Sequence, residues 1–575
     1  RQSRTLSPGE EATLATEPVA SGAGSEIVLA ARGGGKEAAV RLHRLRYAAG
    51  GREVPLPIFL PPLAEVIPPP VLPPLRPAIE QALIEWDWRM QDGIGTDRQR
   101  RTWGAAVGEV FERGDRLIEH LGGTGAALGE LPQSWEAARR RYDAIRRAAD
   151  AGDAAWEAVW RDVHALRRRI ALANPLAATG PLLFVKGVPS AFSHQLTQYR
   201  GWRARPGGGV YVLEAPGRSM RCRRLETLPA GSYMHADVSW DGRRVLFSFC
   251  RTDPEATDWT ANESQYYHLF EVADDGSAPR QLTDGPFDDF APRYLPDGKI
   301  LFISTRRGGF HRCGRGPCPV YTMATAEADG SNVRVISFHE THEWDPAVLN
   351  DGRVIYTRWD YVDRHAVHYQ HLWSARPDGS DVRAYYGNNT LNPVGVWEAR
   401  PIPGSNRVIA TAAAHHAMTA GSIILLDVTK GVDGLEPITR LTPDVLFPES
   451  EFAVQHWHAT AGVPVPPEVP IEEQRWPGHS YRAPYPLSED FFLAAYSFDP
   501  LIGEPHANRA NMFGLYLVDR FGNKELLYRD PSICSLWAMP LRPRRRPPPL
   551  PSLCAAERPG EGTFFLHNVH ESWPR

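Results

Sequence analysis

Apolar and polar residues alternate through the middle of the chain in a unit that recurs four times. Each copy reads as an apolar strand, a two-residue turn and a second apolar strand. The four copies are His235–Phe249, Phe290–Thr305, His339–Arg358 and Trp397–Ala412. In the first three the turn is Asp-Gly, beginning at Asp241, Asp297 and Asp351, at spacings of 56 and 54 residues. Asp-Gly suits the positive φ angles of a tight hairpin, so the pattern predicts a repeated β-hairpin.

A second hairpin follows within three of the units, with Asp-Gly-Ser turns at Asp275, Asp329 and Asp378. Four strands per unit are typical of one blade of a β-propeller, whose radial repetition leaves only short sheet edges. We therefore predict six blades, beginning near Leu182, His235, Phe290, His342, Trp397 and Phe491. The late strand Gly562–His570 is expected to close the ring or to begin another element. This order of strands and turns resembles the TolB/PD40 type of propeller repeat.

The predicted fold is mainly β: a six-bladed β-propeller preceded by a small helical bundle and a Pro-rich N-terminal segment. Residues 1–76 are poorly patterned, partly β, and end in a Pro-rich linker. Residues 77–174 place Trp, Tyr, Leu and Val at three-to-four-residue spacing, which predicts three or four helices. Residues 175–575 hold the propeller with its inserted loops.

Composition excludes several classes of function. The 64 basic and 68 acidic residues nearly balance, which argues against nucleic-acid binding over the surface. No apolar run of about 18 residues occurs, so no membrane span is predicted. The chain begins at Arg1, not Met, and we interpret it as a fragment or a processed form, whose compartment a missing signal peptide does not decide.

Several longer motifs carry a more specific resemblance. Ile170–Leu176 (IALANPL), the segment RRGGFHRCGRGPCPVYT and the motif HEWDP resemble propeller proteins that carry the middle domain of the hydrazine synthase alpha subunit. The resemblance covers roughly Ile170 to the C-terminus. It implies a periplasmic or extracellular protein with a cytochrome-c-like domain or subunit as partner. The c-type haems of that family need CxxCH motifs, and this chain has none, so haem c is not supported here.

Two segments are candidates for cofactor binding. The inserted loop 188–209 is rich in His, Tyr, Trp and Arg and includes His194 and Tyr199; long loops on a rigid scaffold often carry function. Cys313 and Cys318 are the only close cysteine pair. They form a local disulfide, remain two thiols, or take a metal or redox role; the spacing alone leaves these options open.

Imidazoles and carboxylates also cluster where predicted blades begin. In a propeller the innermost strands line a central channel, so such residues converge on one mouth and suit zinc or iron. The predicted metal ligands are His339, His342, Glu343, His415, His416, His456 and His458. The run His365, His368 and His371 is a second option. Equally, repeated His and Asp residues at blade ends can satisfy buried backbone groups, which is a purely structural role.

Two functions follow from these features. One is a non-catalytic, extracytoplasmic binding or scaffold module that holds a metal or docks a haem domain at the channel mouth. The other is a metal- or haem-dependent redox enzyme subunit. The sequence carries no GxSxG, P-loop or dinucleotide motif that would supply a different chemistry.

Overall fold

A computed structural model of the 575-residue chain describes residues 46–49, 52–55, 75–96, 98, 101–148, 151–252, 265–311, 318–362, 364–451 and 476–554. Across these ranges the protein is mainly β with four helices, which confirms the predicted mainly-β fold with a helical segment. Cys313, His456 and His458 lie outside the described residues, as does Gly562–His570. No described helix is long and apolar enough to cross a bilayer.

The four helices precede most of the strands. They are α1 (Leu75–Asp92), α2 (Trp103–Gly123), α3 (Leu131–Arg147) and α4 (Asp153–Leu172). At the start of α2 the hydroxyl of Thr102 accepts a hydrogen bond from the backbone N–H of Ala105 at 3.2 Å, which satisfies one of the helix's unpaired donors.

A shared aromatic core joins the helices to one another and to the sheets. Trp88, Trp135 and Trp160 are fully buried in it. On the side facing the strands, the buried Arg167 of α4 donates to the carboxylate of Glu525 at 2.8 Å. A buried, hydrogen-bonded ion pair of this kind fixes how the helical segment is seated, because separating the charges is costly.

The strands comprise one small hairpin and six four-stranded antiparallel units. The hairpin is formed by β1 (Arg46–Ala49) and β2 (Arg52–Pro55). In chain order the remaining strands are β3 (Leu182–Gly187), β4 (Gly208–Leu213), β5 (Cys222–Arg224), β6 (Gly231–Val238), β7 (Arg244–Arg251), β8 (His268–Ala273), β9 (Arg280–Gln281), β10 (Asp289–Tyr294), β11 (Ile300–Ser304), β12 (Thr322–Ala326), β13 (Arg334–Val335), β14 (Glu343–Val348), β15 (Val354–Trp359), β16 (Gln370–Ala375), β17 (Arg383–Tyr386), β18 (Gly395–Pro401), β19 (Val408–Ala413), β20 (Gly421–Leu426), β21 (Ile438–Arg440), β22 (Ser480–Pro486), β23 (Phe491–Ser497), β24 (Phe513–Asp519), β25 (Lys524–Tyr528) and β26 (Cys534–Pro540).

The pairing divides these strands evenly. The units are β6–β9, β10–β13, β14–β17, β18–β21, β22–β25, and β3–β5 joined by β26, which pairs with β3. Single backbone pairs link three consecutive units, at Gln370 with Gly395 and at Gly421 with Tyr481. The strands β6, β10, β14, β18 and β22 contact one another in succession, and β26 contacts both β22 and β6.

The predicted turns account for the hairpins. Gly242, Gly298 and Gly352, the second residues of the Asp-Gly pairs, have φ angles of 77°, 97° and 90°. A side chain other than glycine would be strained in this conformation. Each turn joins the first two strands of its unit, so the spacing read from the sequence is the spacing of real hairpins.

The first strands of the units also share an irregularity that the sequence did not reveal. In each of β6, β10, β14, β18, β22 and β26 the register shifts at a bulge, and one residue other than glycine takes a positive φ angle. These residues are His235, Ala291, Asp345, Glu398, Ala483 and Trp537, with φ between 46° and 55°. We call these six strands the bulged strands; a bulge re-aims the side chains that follow it.

One predicted blade boundary needs correction. The last predicted blade began near Phe491, but the sixth unit begins one strand earlier, at Ser480 in β22. Pro484 and Pro486 hid this strand, since proline is disfavoured inside a sheet except at bulges and edges. The strand that completes the first unit is β26, Cys534–Pro540.

Candidate histidine-rich metal centre

The loop between β3 and β4 lies across the amino ends of the bulged strands. It contacts distant units through many hydrogen bonds. Gln195 donates to the carbonyl of Ala414 at 2.8 Å, Gly201 N–H donates to Asp288 at 3.0 Å, and Ser193 donates to the carbonyl of Ile502 at 2.5 Å. The loop therefore covers this end of the strands, and it places His194 and Tyr199 in buried surroundings.

Tyr199 serves packing more than chemistry. Its ring lies 4.5 Å from that of His235 and 5.5 Å from that of Phe290, centroid to centroid. Arg482 donates to its hydroxyl at 3.3 Å. Burial and the nearby Asp345 raise the pKa of Tyr199 well above its usual value, so the phenol stays protonated.

Two groups of side chains within the described ranges bring potential metal ligands together. The first is His194, His415 and His416; the second is His311, Cys318 and His342. In each group one ligand atom per residue lies within 4.8 Å of the others. Five of these six residues were predicted, and neither group includes His339, Glu343 or the run His365, His368 and His371.

Hydrogen bonds occupy much of the first group. The backbone N–H of Leu196 donates to Nδ1 of His194 at 3.0 Å, and Gln370 Nε2 lies 2.7 Å from Nδ1 of His415. Gln370 Nε2 also donates to the carbonyl of Val367 at 2.8 Å, which fixes its amide orientation. Both rings thus accept a hydrogen bond at Nδ1 and carry their proton on Nε2. A protonated Nε2 has no free lone pair with which to bind a metal.

His416 is held differently. Its Nδ1 contacts one carboxylate oxygen of Glu449, whose other oxygen accepts from the backbone N–H groups of His415 and His416 at 2.6 and 3.1 Å. The carboxylate orients the His415–His416 dipeptide. With two rings in the wrong tautomer, the first group fits a hydrogen-bonded anchor for the covering loop better than it fits a metal.

The second group has the better donor set for a metal. A cysteine and two histidines are the sulfur and nitrogen ligands that zinc favours. His342 is fully buried, and its Nε2 has no hydrogen-bond partner among the described residues. Its ring lies between Tyr321 and Trp359, with centroids at 3.9 and 6.0 Å and interplanar angles of 24° and 10°. The stacking fixes the direction of the unpartnered nitrogen.

One contact opposes metal binding in this group. The backbone N–H of Tyr321 lies 3.3 Å from Nδ1 of His342, a long separation for a hydrogen bond. A metal at Nε2 requires the proton on Nδ1, so binding must displace this contact. The loss is small because the contact is weak, and the buried Nε2 gains a partner in exchange.

The histidines of the second group are neutral at physiological pH. Burial, reinforced by the charge of Arg200, lowers the pKa of His311 to about 4. Burial, followed by the repulsion that a protonated His311 would exert, lowers the pKa of His342 well below 6.5. Neutral imidazole is the form that binds metals, so no proton has to leave these rings first.

Two further predicted ligands, His339 and Glu343, have other partners. Ring Nε2 of His339 lies 2.8 Å from the carbonyl of Trp359. Glu343 accepts from the backbone N–H of Met323 at 2.9 Å and from Ser337 Oγ at 2.6 Å. Burial raises the pKa of Glu343 to about 7. The sequence had not singled out His311, although it lies in the same quoted segment as Cys318, seven positions earlier.

No protein-family model and no curated protein matches this chain. Among solved structures, hydrazine synthase from Kuenenia stuttgartiensis is similar at a TM-score of 0.46 and 14% identity, covering 64% of this chain and 48% of that one. TolB from Acinetobacter baumannii is similar at 0.32 and 10%, covering 61% and 71%. The chain spans about half the length of the hydrazine synthase chain. Both proteins named by the sequence resemblance are thus among the structural neighbours, and likenesses this weak do not identify a function.

Proposed function

We propose that the chain is a six-bladed β-propeller acting as a metal-binding module, with one zinc or iron ion held by His311, Cys318 and His342. The propeller is supported by six four-stranded units whose bulged strands contact one another in succession from β6 to β26 and back to β6. The observation that carries the metal proposal is the buried, unpartnered Nε2 of His342 beside a thiol and a second imidazole.

Three protein ligands leave a tetrahedral ion one open position. Closed four-ligand sites are structural, whereas sites with three protein ligands leave room for water or a substrate. This open position favours, as the second candidate, a metal-dependent enzyme subunit. An extracytoplasmic location and a cytochrome-c-like partner are further proposals that rest on the family resemblance alone, and cell fractionation tests the first of them.

Cobalt substitution tests the site directly. Co²⁺ bound by a thiolate gives a near-ultraviolet charge-transfer band as well as visible bands. We expect both on titrating the purified chain with Co²⁺, and loss of the charge-transfer band in Cys318→Ser. Cys250→Ser is the matched control, because Cys250 is also buried but belongs to neither ligand group. Failure to bind cobalt, or a band that survives in Cys318→Ser, would overturn the proposal.

A further inference from the structure

The residue two positions beyond each bulge points to a second site, at the carboxyl ends of the bulged strands. These equivalent positions hold Asp237, Arg293, Ala347, Arg400, Tyr485 and Met539. The bulge turns them toward a common space, since all six line one of two adjoining cavities. The histidine-rich centre lies at the opposite ends of the same strands.

The larger cavity is about 60 Å³ and is lined by Arg293, Arg400, Tyr485, Asp237 and Arg544, among others. The smaller one, about 10 Å³, reaches from Arg293 and Arg400 toward Asp345 and Glu398. A single water needs roughly 10–15 Å³ of such volume. The larger cavity therefore has room for a small polyatomic ion or a few waters, but not for a drug-sized molecule.

Arg293 presents a buried positive charge to this space. Only 3% of Arg293 is exposed. Its Nε donates to the carbonyl of Pro346 at 2.8 Å, and its Nη1 donates to the carbonyl of Pro292 at 2.7 Å. No carboxylate among the described residues forms an ion pair with it. Burial, together with the like charge of Arg400, lowers its pKa to about 9. A buried cation of this kind needs an anionic partner.

Arg400 is a second cation facing the same cavity. Within the parts of the chain that the structure describes, its side chain makes no ion pair and no hydrogen bond. Burial lowers its pKa too, although Asp237 opposes that shift. Two guanidinium groups thus converge on one small space, and among the described residues Asp237 and Asp345 oppose their charges only from beyond ion-pair distance.

The nearby acids are already engaged. Arg544 donates to both oxygens of Asp237 at 3.0 and 2.9 Å. Glu398 accepts from Arg482 at 2.9 Å. Asp345 lies 3.2 Å from Nε2 of His235, a ring that burial keeps neutral by lowering its pKa to about 4. Asp345 is the one acid not matched by an arginine, and it does not balance both Arg293 and Arg400.

We propose that this cavity binds a small oxyanion between Arg293 and Arg400, with the Tyr485 hydroxyl as an additional donor. The planar fork of guanidinium donors suits a carboxylate-like, nitrate-like or phosphate-like group. Arg544, which belongs to the segment after β26 and is itself held by Asp237, also lines the cavity. The site is independent of the metal centre.

The test is isothermal titration of metal-free protein, kept in a chelator, with sodium phosphate, sulfate, nitrate and bicarbonate at constant ionic strength. Planar and tetrahedral anions are separate arms of the titration. We expect saturable one-site binding of at least one anion, weakened at least tenfold in Arg400→Met. This variant removes no described hydrogen bond, so it should fold. Arg383→Met, at an exposed arginine in β17, is the control and should bind as the wild type does.

Three outcomes overturn the proposal: no saturable binding of any of the four anions, equal binding in Arg400→Met, or equal weakening in Arg383→Met, which would mark a general charge effect. Arg400→Lys provides a second reading if the methionine variant does not fold. Lysine keeps the positive charge but lacks the paired donors of the guanidinium group, so anion binding should weaken relative to the wild type. Retention of full affinity in the lysine variant would contradict the forked contact.

Discussion

The two ends of the bulged strands are built from the same repeat but carry opposite chemistry. At the amino ends, neutral imidazoles and a thiol gather beneath the loop 188–207. At the carboxyl ends, the guanidinium groups of Arg293 and Arg400 gather beside that of Arg544. The strands between the two ends belong to a unit that is repeated six times. The contrast in chemistry comes from side chains that differ from one unit to the next. One repeated scaffold therefore presents two different sets of side chains, one at each end of the bulged strands.

The largest predicted effect concerns acid stability at the histidine-rich end. Burial, followed by the positive charge of His416, lowers the pKa of His194 to about 3, against 6.5 in the unfolded chain. Between pH 6.5 and about 3 the unfolded state binds the proton and the folded state does not, so stability falls as pH falls. For this one group the slope is about 1.4 kcal/mol per pH unit.

Buried acids change stability with pH in the opposite sense; burial raises the pKa of Asp87, for example, to about 6. Comparing the wild type with a His194 variant separates the contribution of His194 from that of these acids. In His194→Asn the amide oxygen can replace Nδ1 as acceptor for Leu196. Urea unfolding at pH 7, 6, 5 and 4 should show the stability advantage of the wild type over His194→Asn shrinking with each step. The difference in unfolding free energy between Arg400→Met and the wild type should stay constant over this pH range. A constant difference for His194→Asn would refute the assignment of the pH dependence to His194.

The next effect is on metal affinity. Replacing His342 by Ala removes the ligand whose orientation is fixed by stacking, and we expect zinc affinity to fall at least about 100-fold, or roughly 2.7 kcal/mol. Competition with a chelating dye measures it. His339→Ala is the control, because His339 belongs to neither ligand group, and its affinity should stay within about threefold of the wild type. Equal losses in both variants would point to general damage.

Proton release separates the two groups of ligands. Zinc binding to His311, Cys318 and His342 should release one proton, from the thiol, because both imidazoles are already neutral. Affinity should then rise about tenfold per pH unit between pH 6 and 7.5. Binding at His194, His415 and His416 would require no thiol. Calorimetry in buffers of different ionisation enthalpy counts the protons, and a count of zero would exclude Cys318 as a ligand.

The smallest effect tests the bulge that both ends share. Ala291 has a φ angle of 53°, a conformation that costs a non-glycine residue about 1–2 kcal/mol. Ala291→Gly should therefore be stabilising or neutral in chemical unfolding. Ala347→Gly, two residues past the corresponding bulge of β14 and not at positive φ, should cost about 0.5–1 kcal/mol. If both variants lose the same stability, the backbone strain at the bulge is absent.

How much the sequence predicts depends on whether the signal is local. The Asp-Gly turns predicted the hairpins, since a turn needs only its own residues. The bulges and the strand β22 were missed, because positive φ at Ala291 or Glu398 and a strand containing Pro484 follow from packing between units. The same reason hid the pairing of β26 with β3, which joins residues about 350 positions apart.

The candidate sites show the same division. Residue type alone marked His342, His415 and Cys318 as possible ligands. Which of them meet depends on the fold: it separates His342 from Glu343, its neighbour in sequence, and brings it to His311. The convergence of Arg293 and Arg400 had no local signal, because they lie on two different bulged strands, β10 and β18.

The most direct test of the central claim is X-ray absorption at the zinc edge of the chain loaded with one equivalent of zinc. The proposed centre predicts one sulfur at about 2.3 Å and nitrogen ligands at about 2.0–2.1 Å. The sulfur shell should disappear in Cys318→Ser and persist in Cys250→Ser. A shell of nitrogen and oxygen alone in the wild type, or no retained zinc, would contradict a metal centre formed by His311, Cys318 and His342.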